Sequence, residues 1–145
     1  MYIITEKFPL LNTMKKLRNN ELLQFEISFY EKLIKENPDF VDALIPLADA
    51  YTKIGKYKKG LEIDKKLVTL KHNDETAFYN LACSYALLKM TNKSFEALQK
   101  AIALGYHDIA YLQNDPDLQN IQTDTRFSKL IAHLRTQRKL LKEKY

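Results

Sequence analysis

Residues 41–74 and 75–108 lie over each other without a gap, and this repetition constrains the fold more than any other feature of the chain. Ala43 falls on Ala77, Leu44 on Phe78, Leu47 on Leu81, Ala48 on Ala82 and Tyr51 on Tyr85. Further on, Lys66 falls on Lys100, Val68 on Ile102 and Leu70 on Leu104. A period of 34 residues is the length of a helix–turn–helix unit, which buries its apolar face only by stacking on a neighbour. The repetition predicts an all-α chain, a solenoid of stacked antiparallel helix pairs that serves as a binding scaffold.

The spacing of apolar residues and breakers fills in the rest. A short helix is expected over 9–18, with Pro9 in its first turn and Leu10, Met14 and Leu17 on one stripe. Asn19 or Asn20 is suited to cap a second helix carrying Leu23, Ile27, Tyr30 and Ile34, which Asn37-Pro38 ends. This pair reads as a degenerate first repeat. Helices follow at 40–54 and 57–71, joined at Gly55, where a left-handed cap needs a residue without a Cβ. Pro46 removes one backbone hydrogen bond from the first of these; a start near Asp39 predicts a kink, a start near Asp42 only a lost first bond. The second unit places helices at 74–89 and 92–104, with Thr91 or Asn92 as cap and Gly105 as stop. A short helix over 106–112, a turn at Asn114–Leu118 and a last helix from Asp124 complete the chain. That last helix carries Phe127, Leu130, Ile131 and Leu134 at helical spacing. The expected organisation is one domain: 1–40 an extension and degenerate repeat, 41–74 and 75–108 the two clean units, 109–145 capping helices with a basic tail.

Placed on the 34-residue frame, these positions resemble the tetratricopeptide repeat family. Leu44/Phe78 stand at its large fourth position, Leu47/Leu81 at the seventh, Ala48/Ala82 at the small eighth, Tyr51/Tyr85 at the eleventh and Gly60/Ser94 at the small twentieth. Small residues are needed where two helices cross most closely, and large ones fill the space around the crossing. Asp64 departs from the aromatic expected at the twenty-fourth position, and neither clean unit ends in Pro. The segment Gly105–Leu130, with Asp115-Pro116-Asp117-Leu118 and Asp124-Thr125-Arg126-Phe127, looks like the closing element of many bacterial repeat proteins. The resemblance implies a right-handed superhelix whose concave face is lined by the first helix of each unit. It implies a groove formed by Asp42, Ile45, Pro46, Asp49, Thr52 and Lys53, then Thr76, Tyr79, Asn80, Cys83, Ala86 and Leu87. Of these, Ile45, Asp49, Lys53, Tyr79, Asn80, Cys83 and Leu87 are the residues expected to hold a peptide, with apolar anchors and Asn80 bonding its backbone. Ile45 and Asp49 stand where relatives that grip chaperone-tail carboxylates carry Lys and Asn, which argues against that ligand. The apolar segment Met1–Phe8 is a candidate occupant of the groove, from the same chain or another.

Chemistry and compartment give little else. His72, His107 and His133 are far apart, with no Cys or carboxylate at metal-ligand spacing, and no phosphate loop or nucleophile motif occurs. Neither catalysis, a metal nor a cofactor is expected. Cys83 is read as a small packing residue, and Asp115 and Asp117 beside Pro116 as turn formers. The one cysteine and the lack of a secretory leader or a membrane-length apolar run point to the cytoplasm. Net charge is +5, and all of it sits in the last segment, since residues 1–122 hold sixteen basic and sixteen acidic residues. Arg126, Lys129, Arg135, Arg138, Lys139 and Lys142 therefore form a possible electrostatic patch for nucleic acid or an anionic surface. No aromatic residues interleave with these charges, which favours a solvated cap helix. The expected partner is a protein or peptide, and the chain itself a monomer or homodimer.

Overall fold

In the computed structural model, residues 9–144 are described, with side chains from Leu10 onward. Among the described residues seven α-helices follow one another: α1 (Pro9–Glu36), α2 (Val41–Lys53), α3 (Tyr57–Leu70), α4 (Glu75–Leu87), α5 (Thr91–Ala103), α6 (Ile109–Asn114) and α7 (Thr125–Glu143), with a 3-10 turn at Pro116–Ile121 before the last. No strand occurs among the described residues. Pairs α2–α3 and α4–α5 are the two helical hairpins, stacked side by side as a solenoid. The crossing residues Ala48, Gly60, Ala82 and Ser94 are all buried. A Cβ added to Gly60 would stand 3.2 Å from Thr52 Oγ1 and 3.5 Å from the Ala48 carbonyl. Ser94 fits the same site in the next unit by donating its hydroxyl to the Ala82 carbonyl at 2.8 Å.

The helix starts carry the period further than the side chains do. Val41, Glu75 and Ile109 begin α2, α4 and α6, and Tyr57, Thr91 and Thr125 begin α3, α5 and α7, each step being 34 residues. The closing segment is thus laid out as a third hairpin whose first helix is broken. Pro116 lacks an N–H to continue α6, so the chain tightens into the 3-10 turn. Asp115 caps that turn by accepting from the Asp117 N–H at 2.9 Å. Leu112, Leu118 and Ile121 are fully buried, and each contributes about 1.5–3 kcal/mol of burial. Phe127, Ile131 and Leu134 bring α7 onto the same core.

Turn chemistry follows local rules with one exception. Gly55 adopts φ 78°, and the Lys56 and Gly55 N–H groups donate to the Tyr51 and Thr52 carbonyls at 2.8 and 3.0 Å, a Schellman end to α2. Gly105 ends α5 in the same way. Lys89, one period after Gly55, makes the same pair of bonds in left-handed backbone at φ 59° despite its Cβ. Pro46 lies inside α2, which begins at Val41, so the Asp42 carbonyl gets no helical partner while the rest of the helix continues.

Three local expectations need correction. α1 is one continuous helix, so Asn19 and Asn20 cap nothing and the N-terminal pair is not a closed hairpin. α5 has Met90 rather than Thr91 or Asn92 at its cap, with no side-chain cap bond; the Asn92 amide oxygen accepts from Arg126 instead, at 2.9 Å. The short helix expected over 106–112 starts at Ile109, capped by Asp108, whose carboxylate accepts from the Tyr111 N–H at 2.9 Å.

Candidate functional site

One face of α2 and α4, together with the broken helix of the third unit, encloses a cavity of about 370 Å³. Ile45, Asp49, Tyr79, Asn80, Cys83 and Leu87 all line it, as do Pro46 and Thr52. Lys53 is not part of the lining; it pairs with Asp49 at 2.6 Å on the exposed rim, where such a pair stabilises by about 0–1 kcal/mol. Asp42, Thr76 and Ala86 do not line the cavity. The segment Met1–Phe8 lies outside the described residues.

The cavity is more closed than the repeat frame implies, because the third unit contributes Tyr111, Asp115 and Asp117. Tyr79 is buried, and its hydroxyl donates to Asp115 Oδ2 at 2.6 Å. Its ring stacks on Tyr106, centroids 4.4 Å apart, and tilts against Tyr111 at 5.8 Å. Tyr79 is therefore committed to holding the closing segment and is not an open anchor for a ligand. Cys83, also buried, points its thiol at the same carboxylate oxygen, 3.7 Å away. Burial first, and then the Asp115 charge, push that thiol well above its ordinary range, which disfavours the thiolate form. Burial likewise pushes the Tyr79 hydroxyl up, and carries Tyr106 to about 12.

Acidity is the property that residue-by-residue reading missed. Asp49, Asp64, Asp115 and Asp117 all reach the cavity, brought from α2, α3 and the closing turn. Asp117 is held above the usual carboxylate range by partial burial and then by the charges of Asp115 and Asp49. Asp64, at the twenty-fourth position, is buried on the floor, accepts from the Ser84 hydroxyl at 2.5 Å and is pushed up to about 6 by burial. What faces outward is apolar and acidic together: Ile45 and Tyr111 are 43% and 57% exposed, beside Asp49, Asp117 and the exposed amide of Asn80. A helix-by-helix count of the groove sees only α2 and α4, so the third unit's contribution is invisible to it.

The six cations of the C-terminal segment do not form one patch. Arg126 is bound by Asp124, with bonds of 2.8 and 3.1 Å, and lies 4.4 Å from the centre of the Phe95 ring. With Lys129 and His133 it borders a groove between α5 and α7. Arg135, Arg138, Lys139 and Lys142 line a separate hollow beside α6. Among the described residues no His, Cys, Asp or Glu cluster of metal-binding size occurs, and no helix is long and apolar enough to cross a membrane.

Comparison with known proteins places these features. No family model matches the chain. Among curated proteins it resembles mouse BBSome complex member BBS4, at 27% identity over 90 residues and 62% of this chain. It also resembles the peroxisomal targeting signal receptor of Pichia angusta, at 29% over 99 residues and 68% of this chain. The chain spans 17% of the length of each of these relatives. Among solved structures it is similar to MamA (41-end) from Desulfovibrio magneticus RS-1, with TM-score 0.67 and 26% identity over 88% of this chain and 71% of that one. YrrB, described as a TPR protein with an unusual peptide-binding site, shares the fold at TM-score 0.58 and 18% identity, over 74% of this chain and 54% of its own. Helix starts that recur every 34 residues, small residues at both crossings and these likenesses lead to one conclusion: the chain is an all-α helical-hairpin solenoid with the fold of the tetratricopeptide repeat proteins it is similar to.

Proposed function

We propose that the chain is a protein–protein interaction module that takes up a peptide segment of its partner in the concave cavity. The observation that carries this is the cavity's lining, which brings the apolar groups Ile45, Leu87 and Tyr111 together with the carboxylates of Asp49 and Asp117. Apolar side chains supply the anchoring area, and Asn80 is placed to pair with a peptide backbone. The carboxylates select charge: a segment with Lys or Arg next to an apolar residue meets complementary potential, and an acidic segment is repelled. The free, buried thiol of Cys83 supports a cytoplasmic setting.

Fluorescence anisotropy on labelled ten-residue-class peptides tests the reading, comparing Leu/Lys-rich, Leu/Glu-rich and polar neutral sequences. Leu/Lys-rich peptides should bind, and Asp49→Lys with Asp117→Lys should weaken them about tenfold or more, the loss expected when one or two charge pairs reverse. Leu87→Asp should weaken them independently. Binding that ignores both changes rules the cavity out as the site.

A second reading has one observation in its favour, the hollow where Arg135, Arg138, Lys139 and Lys142 converge beside α6. Such a surface suits the phosphates of nucleic acid or an anionic membrane. A gel shift that disappears between low and moderate salt supports it, and the absence of any shift at low salt removes it.

A further inference from the structure

The first helix carries the sequence of a hairpin without folding into one. Shifting α2 and α3 back by one period maps residues 7–19 onto the first helix of a unit and 23–36 onto the second. Leu10 then takes the place of Leu44 and Phe78, and Leu17 that of Tyr51 and Tyr85, so the arm keeps two of the large packing positions. Where the next units turn back through Gly55 and Lys89 in left-handed backbone, the matching residue is Glu21, a good helix former, and α1 runs straight through it. Every side chain from Leu10 to Leu22 is exposed.

The surface that should receive the arm is exposed too. The inner stripe of α1, with Ile27, Tyr30 and Ile34, packs on Leu47, Ala50 and Tyr51. Its opposite side shows Leu22, Phe25 and Phe29, at 56%, 72% and 50% exposure. That side is where a unit's own first helix sits. In the next unit Gly60 faces Thr52 and Ala48, and the Lys59 ammonium lies 5.2 Å from the Tyr51 ring centre. Moved back one period, these contacts set Arg18 and Met14 against Glu26, and Leu17 against Phe25. Opposite charges meet, and apolar meets apolar. Within one straight helix, however, Leu17 and Phe25 stand about 12 Å apart along the axis, so a single chain does not make these contacts.

We propose that a second copy of this chain makes them: two chains exchange arms, each α1 lying antiparallel on the other and filling the slot of the missing helix. The arrangement is two-fold symmetric, so each pairing forms twice and the surface closes on itself. The crossing explains why arms are exchanged and not folded back. Units with closed hairpins place Ala48 against Gly60 or Ala82 against Ser94, whereas the arm brings Met14 against Glu26. That bulk resists the close approach a short turn enforces, while two separate helices pack at up to about 10 Å between axes.

Light scattering across a concentration series, together with one cysteine pair, tests this. The unmodified chain should reach twice the 17.0 kDa of one copy, and Phe25→Glu with Phe29→Glu should return it to single mass while its helical circular dichroism is retained. Leu17→Cys with Phe25→Cys should form a covalent dimer on oxidation, because their separation along one helix exceeds the roughly 7 Å Cα limit of a disulfide. A single-copy mass at every concentration overturns the proposal, as does an internal disulfide in a monomer, which means the arm folds back on its own chain. A dimer that is indifferent to Phe25→Glu and Phe29→Glu overturns it equally. None of these outcomes depends on what the concave cavity binds.

Discussion

Asp64 is a buried carboxyl in the joint between the first and second clean units, and its cost can be worked out. It stands in α3 where the second unit has the fully buried Leu98, and it reaches across to Ser84 of α4, itself in the place of Ala50. The carboxyl is held at about 6 in the fold against an ordinary value of 3.8, a difference that amounts to about 3 kcal/mol between its two protonation states. The folded chain binds this proton more tightly than the unfolded one does. Its stabilising contribution is therefore complete below about pH 4 and is lost as pH rises through about 6. Asp64→Leu with Ser84→Ala gives this joint the residues of the other unit and leaves no hydroxyl without an acceptor. Urea unfolding, read by circular dichroism with the midpoint and slope fitted, should show the double variant ahead by about 2–3 kcal/mol at about pH 7.5. The gap should shrink by most of that amount at about pH 4.5, since Asp64 in the unmodified chain is then largely protonated. Asp117 titrates in both proteins and cancels in the comparison. If the two proteins keep a constant difference across this range, burial does not set the Asp64 charge state and the account of the joint is wrong.

Other expectations are simpler to check. Lys89→Gly should raise stability by about 1 kcal/mol, since a Cβ in left-handed backbone costs roughly 1–2 kcal/mol and glycine's greater unfolded freedom returns part of it; thermal unfolding measures this, and a loss of stability counts against the strained cap at φ 59°. Tyr79→Phe removes the hydroxyl from buried Asp115 and should cost about 1–3 kcal/mol. Faster hydrogen exchange should then concentrate in residues 109–121, and a uniform change along the chain would refute the idea that this bond holds the closing segment.

The repeat was legible because its determinants are local and written twice. Ala48/Ala82 and Gly60/Ser94 are small for the same steric reason in both units, and the turn at Gly55 needs only its own backbone conformation. The third unit hid because Pro116 breaks its first helix and Asp115, Pro116 and Gln119 stand where Leu, Ala and Tyr stood before; only the helix starts keep the interval. Half of the candidate site was legible for the matching reason. Ile45, Asp49, Asn80 and Leu87 follow from their places on α2 and α4. The commitment of Tyr79 to Asp115 did not, since those residues are 36 apart in sequence and one belongs to a unit whose pattern had faded.

By itself, then, the sequence determined the helical hairpin, its length, its crossings and its stacking, all of which depend on side-chain size at a fixed spacing. Tertiary structure alone decided that the cavity is acidic and closed on one side by Tyr111 and Asp117, because that charge is assembled from α2, α3 and the closing turn. It alone decided that α1 stays straight, since Asn19, Asn20 and Glu21 permit both a turn and a helix. Local preference leaves that choice nearly balanced, so the residue pattern there does not settle it.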